Sequence, residues 1–174
     1  MRLVGLAYRA HNPRWAFAPD SGDGAAMTGG RFNRPGVRTL YTSLRFETAW
    51  LEAQQAFPFK AQPLTLCACD VDCEDIIDLT DQAALAEQAV AASDLACAWQ
   101  DLATRGIRPP SWQLAERLIA SGIAGAIVPS FAAGAGAADR NVVFWDWTRQ
   151  PPHQLRVIDD EHRLPSDAAS WPSQ

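Results

Sequence analysis

Gly29-Gly30-Arg31-Phe32-Asn33, then Leu40-Tyr41-Thr42-Ser43, then Glu52 within Thr48-Ala49-Trp50-Leu51-Glu52-Ala53 place an arginine, an aromatic hydroxyl and a carboxylate in quick succession. Paired glycines let the backbone of a turn come close to a ligand, and a guanidinium there grips phosphate oxygens through two parallel bonds. Tyr41 brings a flat ring for stacking and a hydroxyl for one hydrogen bond. A carboxylate such as Glu52 stabilises the positive charge that develops on a sugar as its glycosidic bond breaks. These are the residue types a pocket needs to hold a dinucleotide and cleave its glycosidic bond. On spacing alone each also has a plainer reading. Arg31 could pair with a surface carboxylate, Tyr41 could pack in a half-buried strand, and Glu52 could lie solvated on a helix, with Glu47 competing one turn earlier.

Further candidates lie at the two ends of the chain. Arg9, in Tyr8-Arg9, is a second cation for a diphosphate. Ser130, just beyond Ile127-Val128-Pro129, and Asn141, at the head of Asn141-Val142-Val143, are candidates for hydrogen bonds to a ligand. Asn141 also fits a capping role for the preceding loop. No histidine adjoins Ser130, so a nucleophilic triad has little support. Gly134-Ala135-Gly136 lacks the spacing and the following Lys-Ser/Thr of a phosphate-binding loop, and reads as a mobile flap or connector.

The elements that must position these groups follow from periodicity and breakers. Leu3 to Arg9 reads as an opening strand and His11 to Gly30, punctuated by prolines and glycines, as a long loop. Thr39 to Thr42 reads as a short strand. Ser43 is placed to cap a helix running to about Phe57, where Pro58 stops it. Phe46, Trp50, Ala53 and Phe57 have the spacing of a buried stripe on that helix, with Glu52 roughly 120° around from Phe46 and able to reach a cavity at the stripe's edge. Pro63 to Asp70 and Asp75 to Leu79 read as strands, and the alanine-rich stretch from Asp81 to Arg105 as one broken helix or two. Ser111 caps a helix from Trp112 to Ser121 that Gly122 ends. Ile123 to Val128, Asn141 to Trp147 and Gln154 to Asp159 read as strands, and residues 161–174 as a loose tail.

Composition bounds the function. At 174 residues and 48% hydrophobic content the chain can bury one core, which favours a single domain over residues 1–160. Net charge is −5 and Lys60 is the only lysine, so nothing resembles a basic run for a nucleic-acid backbone. No apolar segment approaches the roughly 20 residues that span a bilayer, and the first residues lack a signal-peptide run, which implies a cytoplasmic protein. Cys67, Cys69 and Cys73 share one short segment with irregular spacing and no nearby histidine, and Cys67 and Cys69 alternate as on one face of a strand, which reads as packing and not as a metal site. Asp70, Asp72, Glu74, Asp75 and Asp78 lack calcium-loop spacing and read as a solvated strand edge and turn. Gln113 to Ile123 faintly suggests a helix-turn-helix, but the second helix is missing.

The ordered set Tyr8-Arg9, Gly30-Arg31-Phe32-Asn33, Tyr41, Ala49 with Glu52, Val128-Pro129-Ser130 and Asn141-Val142-Val143 resembles the RES domain, the toxin half of bacterial Xre/RES toxin–antitoxin pairs. The resemblance covers nearly the whole chain. It implies a single α+β domain with a mixed sheet flanked by helices, similar to ADP-ribosyltransferases, and a cleft that binds NAD as substrate. It implies Arg31, Tyr41 and Glu52 as the catalytic set, Arg9, Gly30, Asn33, Ser130 and Asn141 as further NAD contacts, and an Xre-type antitoxin as partner. It selects Glu52 over Glu47 through the alanine three positions earlier. Hydrolysis, phosphorolysis and transfer of ADP-ribose to a host protein all remain compatible with it. The rival readings are an inactive nucleotide-binding or interaction module and a helix-turn-helix regulator, the latter disfavoured by the acidic balance.

Overall fold

The computed structural model describes residues 1–54 and 61–169. The chain opens with β1 (Leu3–His11), passes a single 3-10 turn at Pro13–Trp15 and α1 (Asp23–Thr28), and reaches β2 (Leu40–Ser43) and α2 (Phe46–Gln54). β3 (Thr65–Cys73) and β4 (Ile76–Asp78) follow, then α3 (Gln82–Glu87), α4 (Ala92–Leu95), α5 (Trp99–Thr104) and α6 (Pro110–Ala120). β5 (Gly125–Pro129), β6 (Arg140–Phe144) and β7 (His153–Val157) complete the order. The strands form one mixed sheet, β4-β5-β6-β2-β1-β3-β7, with β4 and β5 parallel and the other neighbours antiparallel. This is the α+β class expected, a single domain built on a mixed sheet with helices packed on it.

Alternation along the strands divides the core between the two faces of the sheet. Ile127, Val142 and Phe144 join Cys69, Val71, Ile76 and Leu155 in one cluster. Ala126, Val128 and Val143 point the other way and meet Phe32, Leu79, Leu85, Leu95, Leu114 and Leu118, which brings α3, α4 and α6 onto that face. Cys67, Cys69 and Cys73 are buried on alternate positions of β3. Burial pushes the Cys69 and Cys73 thiols up to about 12, so they stay protonated and pack as small hydrophobes.

The sheet is not zipped evenly. β1 and β3 stay in register over the whole of β1, from Leu3↔Cys73 to His11↔Thr65, whereas β1 and β2 share the single pair Tyr8↔Ser43. Past that pair, Arg9 to His11 and Leu40 to Thr42 diverge, and α2 lies across the opening, packed on β1 and β2.

Several local expectations are corrected. Ser43 is the last residue of β2, buried, and donates its hydroxyl to Asn141 Oδ1 at 2.7 Å instead of capping α2. Phe46 and Trp50 are 51% and 42% exposed, and α2 turns Thr48 and Ala49 inward. Small residues face the sheet because α2 sits close over strands that are themselves parting. The expected end of α2 at Phe57 and Pro58 lies outside the described residues. Ser111 lies inside α6, and its hydroxyl serves the Arg31 turn. The stretch from Asp81 to Arg105 forms three short helices, with Asp81 capping the first through Ala83 N–H. The segment His11 to Gly30 contains the 3-10 turn and α1. Asp70 and Asp72 lie on β3, an interior strand between β1 and β7 and not the edge expected, and pair with Arg156 and Arg2, while Asp75 in the following turn pairs with His153. Residues 161–169 hold no helix or strand, and the end of the expected tail, 170–174, lies outside the described residues.

Candidate functional site

The arginine turn is built from its backbone outward. Gly30 N–H donates to Asn33 O at 2.9 Å, closing the turn. Three consecutive carbonyls are then held by side chains from distant elements. Gly30 O accepts from Trp112 Nε1 at 2.7 Å, Arg31 O from Ser111 Oγ at 2.5 Å, and Phe32 O from Trp145 Nε1 at 3.0 Å. Phe32 N–H donates to the Tyr41 hydroxyl, which donates in turn to Asn33 Oδ1 at 2.7 Å. Gly30 is required here by space, since a Cβ would stand 2.5 Å from the Tyr41 oxygen. Asn33 is 2% exposed, and its amide donates to the carbonyls of Ala25, Arg34 and Val37. It holds the turn and does not line the cleft.

Among the described residues Arg31 pairs with no carboxylate. Its Nη1 donates to Leu95 O at 3.1 Å and Cys97 O at 2.6 Å, and its guanidinium lies 4.4 Å from the Phe131 ring centre. Burial lowers its pKa, opposed chiefly by Cys97 and by the negative charge of Glu52. An arginine remains a cation under such pressure, and these carbonyls and the ring face satisfy it. Nε and Nη2 have no hydrogen-bond partner among the described residues.

Across the opening, Glu52 Oε1 accepts from Ser130 Oγ at 2.6 Å and from Asn141 Nδ2 at 2.5 Å. Asn141 Oδ1 is held by Ser43, which fixes its amide orientation. Ser130 Oγ also accepts from Ala132 N–H at 3.3 Å. Both residues thus aim the carboxylate. Glu47 is exposed and pairs with Arg45 at 3.3 Å, away from this network.

Arg9, Gly30, Arg31, Tyr41, Glu52 and Asn141 line one cleft of about 370 Å³, walled by Phe32, Trp99 and Phe131. A lobe of about 270 Å³ adjoins it, sharing Arg9, Tyr41, Glu52 and Asn141 and adding Tyr8 and His11. Ser130 reaches the site through Glu52. Arg9 is anchored by Nη1 to Ser21 O at 2.9 Å, and burial lowers its pKa. Burial pushes the Tyr41 phenol up, and with its hydroxyl spent on the turn the ring is what it offers the cleft. A larger groove of about 740 Å³ runs beside β7, but its arginines pair with its own aspartates and none of the candidate residues lines it. Among the described residues no cluster of three or more His, Cys, Asp or Glu is placed to hold a metal, and no helix is long and apolar enough to cross a membrane.

Sequence reasoning missed Trp99 and Phe131 as cleft walls, Ser111, Trp112 and Trp145 as anchors of the turn, and Thr48, Asp139 and Ser43 behind Glu52. The available signal was the tryptophan content, because a buried indole N–H must find an acceptor.

A parted mixed sheet, with an arginine turn on one side and a buttressed carboxylate on the other, defines an α+β domain with a cleft where the strands part. The chain belongs to the RES domain family, whose model matches residues 6–167. Among solved structures it is similar to a chain in the crystal structure of the M. tuberculosis MbcT–MbcA toxin–antitoxin complex. The TM-score is 0.60 at 20% identity, over 91% of this chain and 84% of that one. No curated protein sequence matches the chain.

Proposed function

We propose that the chain is the toxin of a toxin–antitoxin pair, and that it binds NAD in the cleft between Arg31 and Glu52 and cleaves the nicotinamide–ribose bond. The observation that carries this reading is the Glu52 carboxylate, aimed by Ser130 and Asn141 into the cleft that Arg31 also lines. Arg31, with Nε and Nη2 in hand, and Arg9 supply the charge that a diphosphate needs. The Tyr41 ring serves as the stacking surface for nicotinamide. Glu52 stabilises the positive charge that grows on the ribose as the bond breaks, and a fixed carboxylate does so without reorganising at that moment. Ser130 and Asn141 act on the substrate through Glu52.

Water or phosphate is the acceptor in the primary reading. Transfer of ADP-ribose to a host protein is the second, supported by the irregular segment between β5 and β6 that brings Phe131 to the cleft, since such segments rearrange to admit bulky acceptors. The partner is an Xre-type antitoxin, a reading supported by RES family membership and by the similar fold of a chain crystallised in a toxin–antitoxin complex. The setting is the cytoplasm.

Incubating the purified chain with NAD, with and without phosphate, tests the reading. Free nicotinamide with ADP-ribose means hydrolysis, and with the phosphate of ADP-ribose means phosphorolysis. Labelled NAD that leaves its label on a protein band after denaturation means transfer. NAD left intact by the folded chain rejects the reading in favour of an inactive binding module.

A further inference from the structure

Glu52 and its two donors belong to different parts of the chain, and something must keep them in register. Ser130 and Asn141 flank the irregular segment between β5 and β6, and Asp139 sits just before its end. Its main-chain oxygen accepts from Ser130 N–H at 2.8 Å, which closes the segment. Its Oδ2 accepts from Gly136 N–H at 2.8 Å, which braces the segment from inside. Its Oδ1 accepts from the Thr48 hydroxyl at 2.5 Å. Thr48 has no exposed surface and lies one helical turn before Glu52 on α2. Arg45, just before α2, stands 3.6 Å from Asp139 Oδ1.

We propose that Asp139 is a positioning residue for the Glu52 carboxylate, clamping α2 to the segment that Ser130 and Asn141 flank. The assignment deepens the NAD-cleaving reading and rests on it. Thr48 has no other role in view that would account for a hydroxyl at a fully buried position facing the sheet. The bonds to Thr48 and Gly136 hold the Asp139 carboxyl below its ordinary range, so the clamp is charged when the protein works. Charge-assisted bonds of this kind are short and directional, which suits a register device better than a packing contact. Without the clamp, α2 keeps its fold but slides against Ser130 and Asn141. Misplacement of a reacting group by about 1 Å costs as much as a hundredfold in rate.

The test combines kinetics with a readout that does not need turnover. Asp139→Ala and the near-isosteric Thr48→Val are expected to lower kcat by at least about tenfold with KM for NAD changed less than about twofold, and Thr48→Ser to restore kcat. In a Glu52→Gln background, Asp139→Ala is expected to cause no further loss, because its effect passes through Glu52. The side-chain amide resonance of Asn141, which reports its bond to Glu52, is expected to move in Asp139→Ala and Thr48→Val and to stay in place in Thr48→Ser. A folded Asp139→Ala or Thr48→Val protein with unchanged kcat, or losses that add to those of Glu52→Gln, overturns the assignment while leaving the NAD reading standing. A wild-type chain that leaves NAD intact overturns that reading. In that case an unmoved Asn141 resonance overturns the clamp as well, and a moved one upholds it as a structural device at that carboxylate.

Discussion

The two walls of the cleft are fixed in opposite ways. On the arginine side the main chain is held, with Trp112, Ser111 and Trp145 each taking one carbonyl of the Gly30–Phe32 run and Arg31 reaching back to the carbonyls of Leu95 and Cys97. On the carboxylate side the backbone is an ordinary helix, and the side chain accepts hydrogen bonds from Ser130 and Asn141 among the described residues. A main-chain cradle tolerates the loss of any one of these side-chain bonds, because no one bond carries it. A side chain aimed by two donors depends on each. A group that only has to be present can be built the first way, whereas one that must face a developing charge needs the second.

Removing the charge from the aimed side chain is the most severe way to break that contrast. Glu52→Gln keeps the size of the residue and its place on α2, and is expected to lower nicotinamide release by at least about a hundredfold while melting within a few degrees of wild type. Near-normal turnover by the folded variant, measured as free nicotinamide, removes Glu52 from the mechanism. Glu47→Gln, on the exposed Arg45 pair, is expected to change the rate less than about twofold.

Breaking the cradle should show in stability before rate. Gly30→Ala places a Cβ 2.5 Å from the Tyr41 oxygen and 2.8 Å from Asn33 Oδ1, so the bond between those two side chains must give. A loss of about 1–3 kcal/mol is expected in denaturant unfolding, with weaker NAD binding as a consequence. Unchanged stability would mean that the turn adapts, and that space does not require a glycine at this position.

Arg31 sharpens the comparison, because it belongs to the cradle and faces the cleft. Calorimetry with NAD in a Glu52→Gln background, where substrate is not consumed, is expected to show Arg31→Ala weaker than Arg31→Lys, and both weaker than the parent. Lysine keeps the charge but loses the fork, and charged hydrogen bonds of this kind are worth about 1.5–3 kcal/mol. Equal affinity for the parent and Arg31→Ala would place the guanidinium's role wholly in holding Leu95 and Cys97.

The same contrast explains what could be read from the sequence. Gly30, Arg31, Tyr41 and Glu52 lie within a short stretch, and their chemistry shows in their order. The donors to Glu52 lie 78 and 89 residues away, so the sequence offered them as separate candidates and not as a network. Asn33 was legible as part of the turn but not as a buried brace, since nothing local reveals which polar groups surround it. The stripe of Phe46 and Trp50 misled because periodicity finds an apolar face without saying whether the helix turns it to a core or away from an opening sheet. Strand positions transferred well because alternation is set by the pleat. Helix starts transferred poorly at Ser43 and Ser111, where a hydroxyl suited to capping is used across the fold instead.

His11 lies where the two walls part, and it gives the smallest effect. It is 9% exposed, and neither ring nitrogen has a hydrogen-bond partner among the described residues. Burial, with a lesser push from Arg9, lowers its pKa from 6.5 to about 4. The folded protein therefore holds the ring neutral where the unfolded chain would take up a proton. Stability from this source is complete above about pH 6.5 and is lost as pH falls from there towards about 4. His153 works in the opposite sense and in another window. Burial alone would lower its pKa, but bonds to Asp146 and Asp75 outweigh that and raise it, so its contribution is complete below 6.5 and fades as pH rises above it. Melting temperatures of wild type and His11→Leu across pH 4–8 isolate the first effect. The wild type is expected to lose on the order of 1 kcal/mol more than the variant between pH 6.5 and 4, after discounting for solvent that enters the adjoining lobe. Parallel curves would mean that the imidazole finds a partner in solution, and that the floor of the opening is wetter than the walls above it.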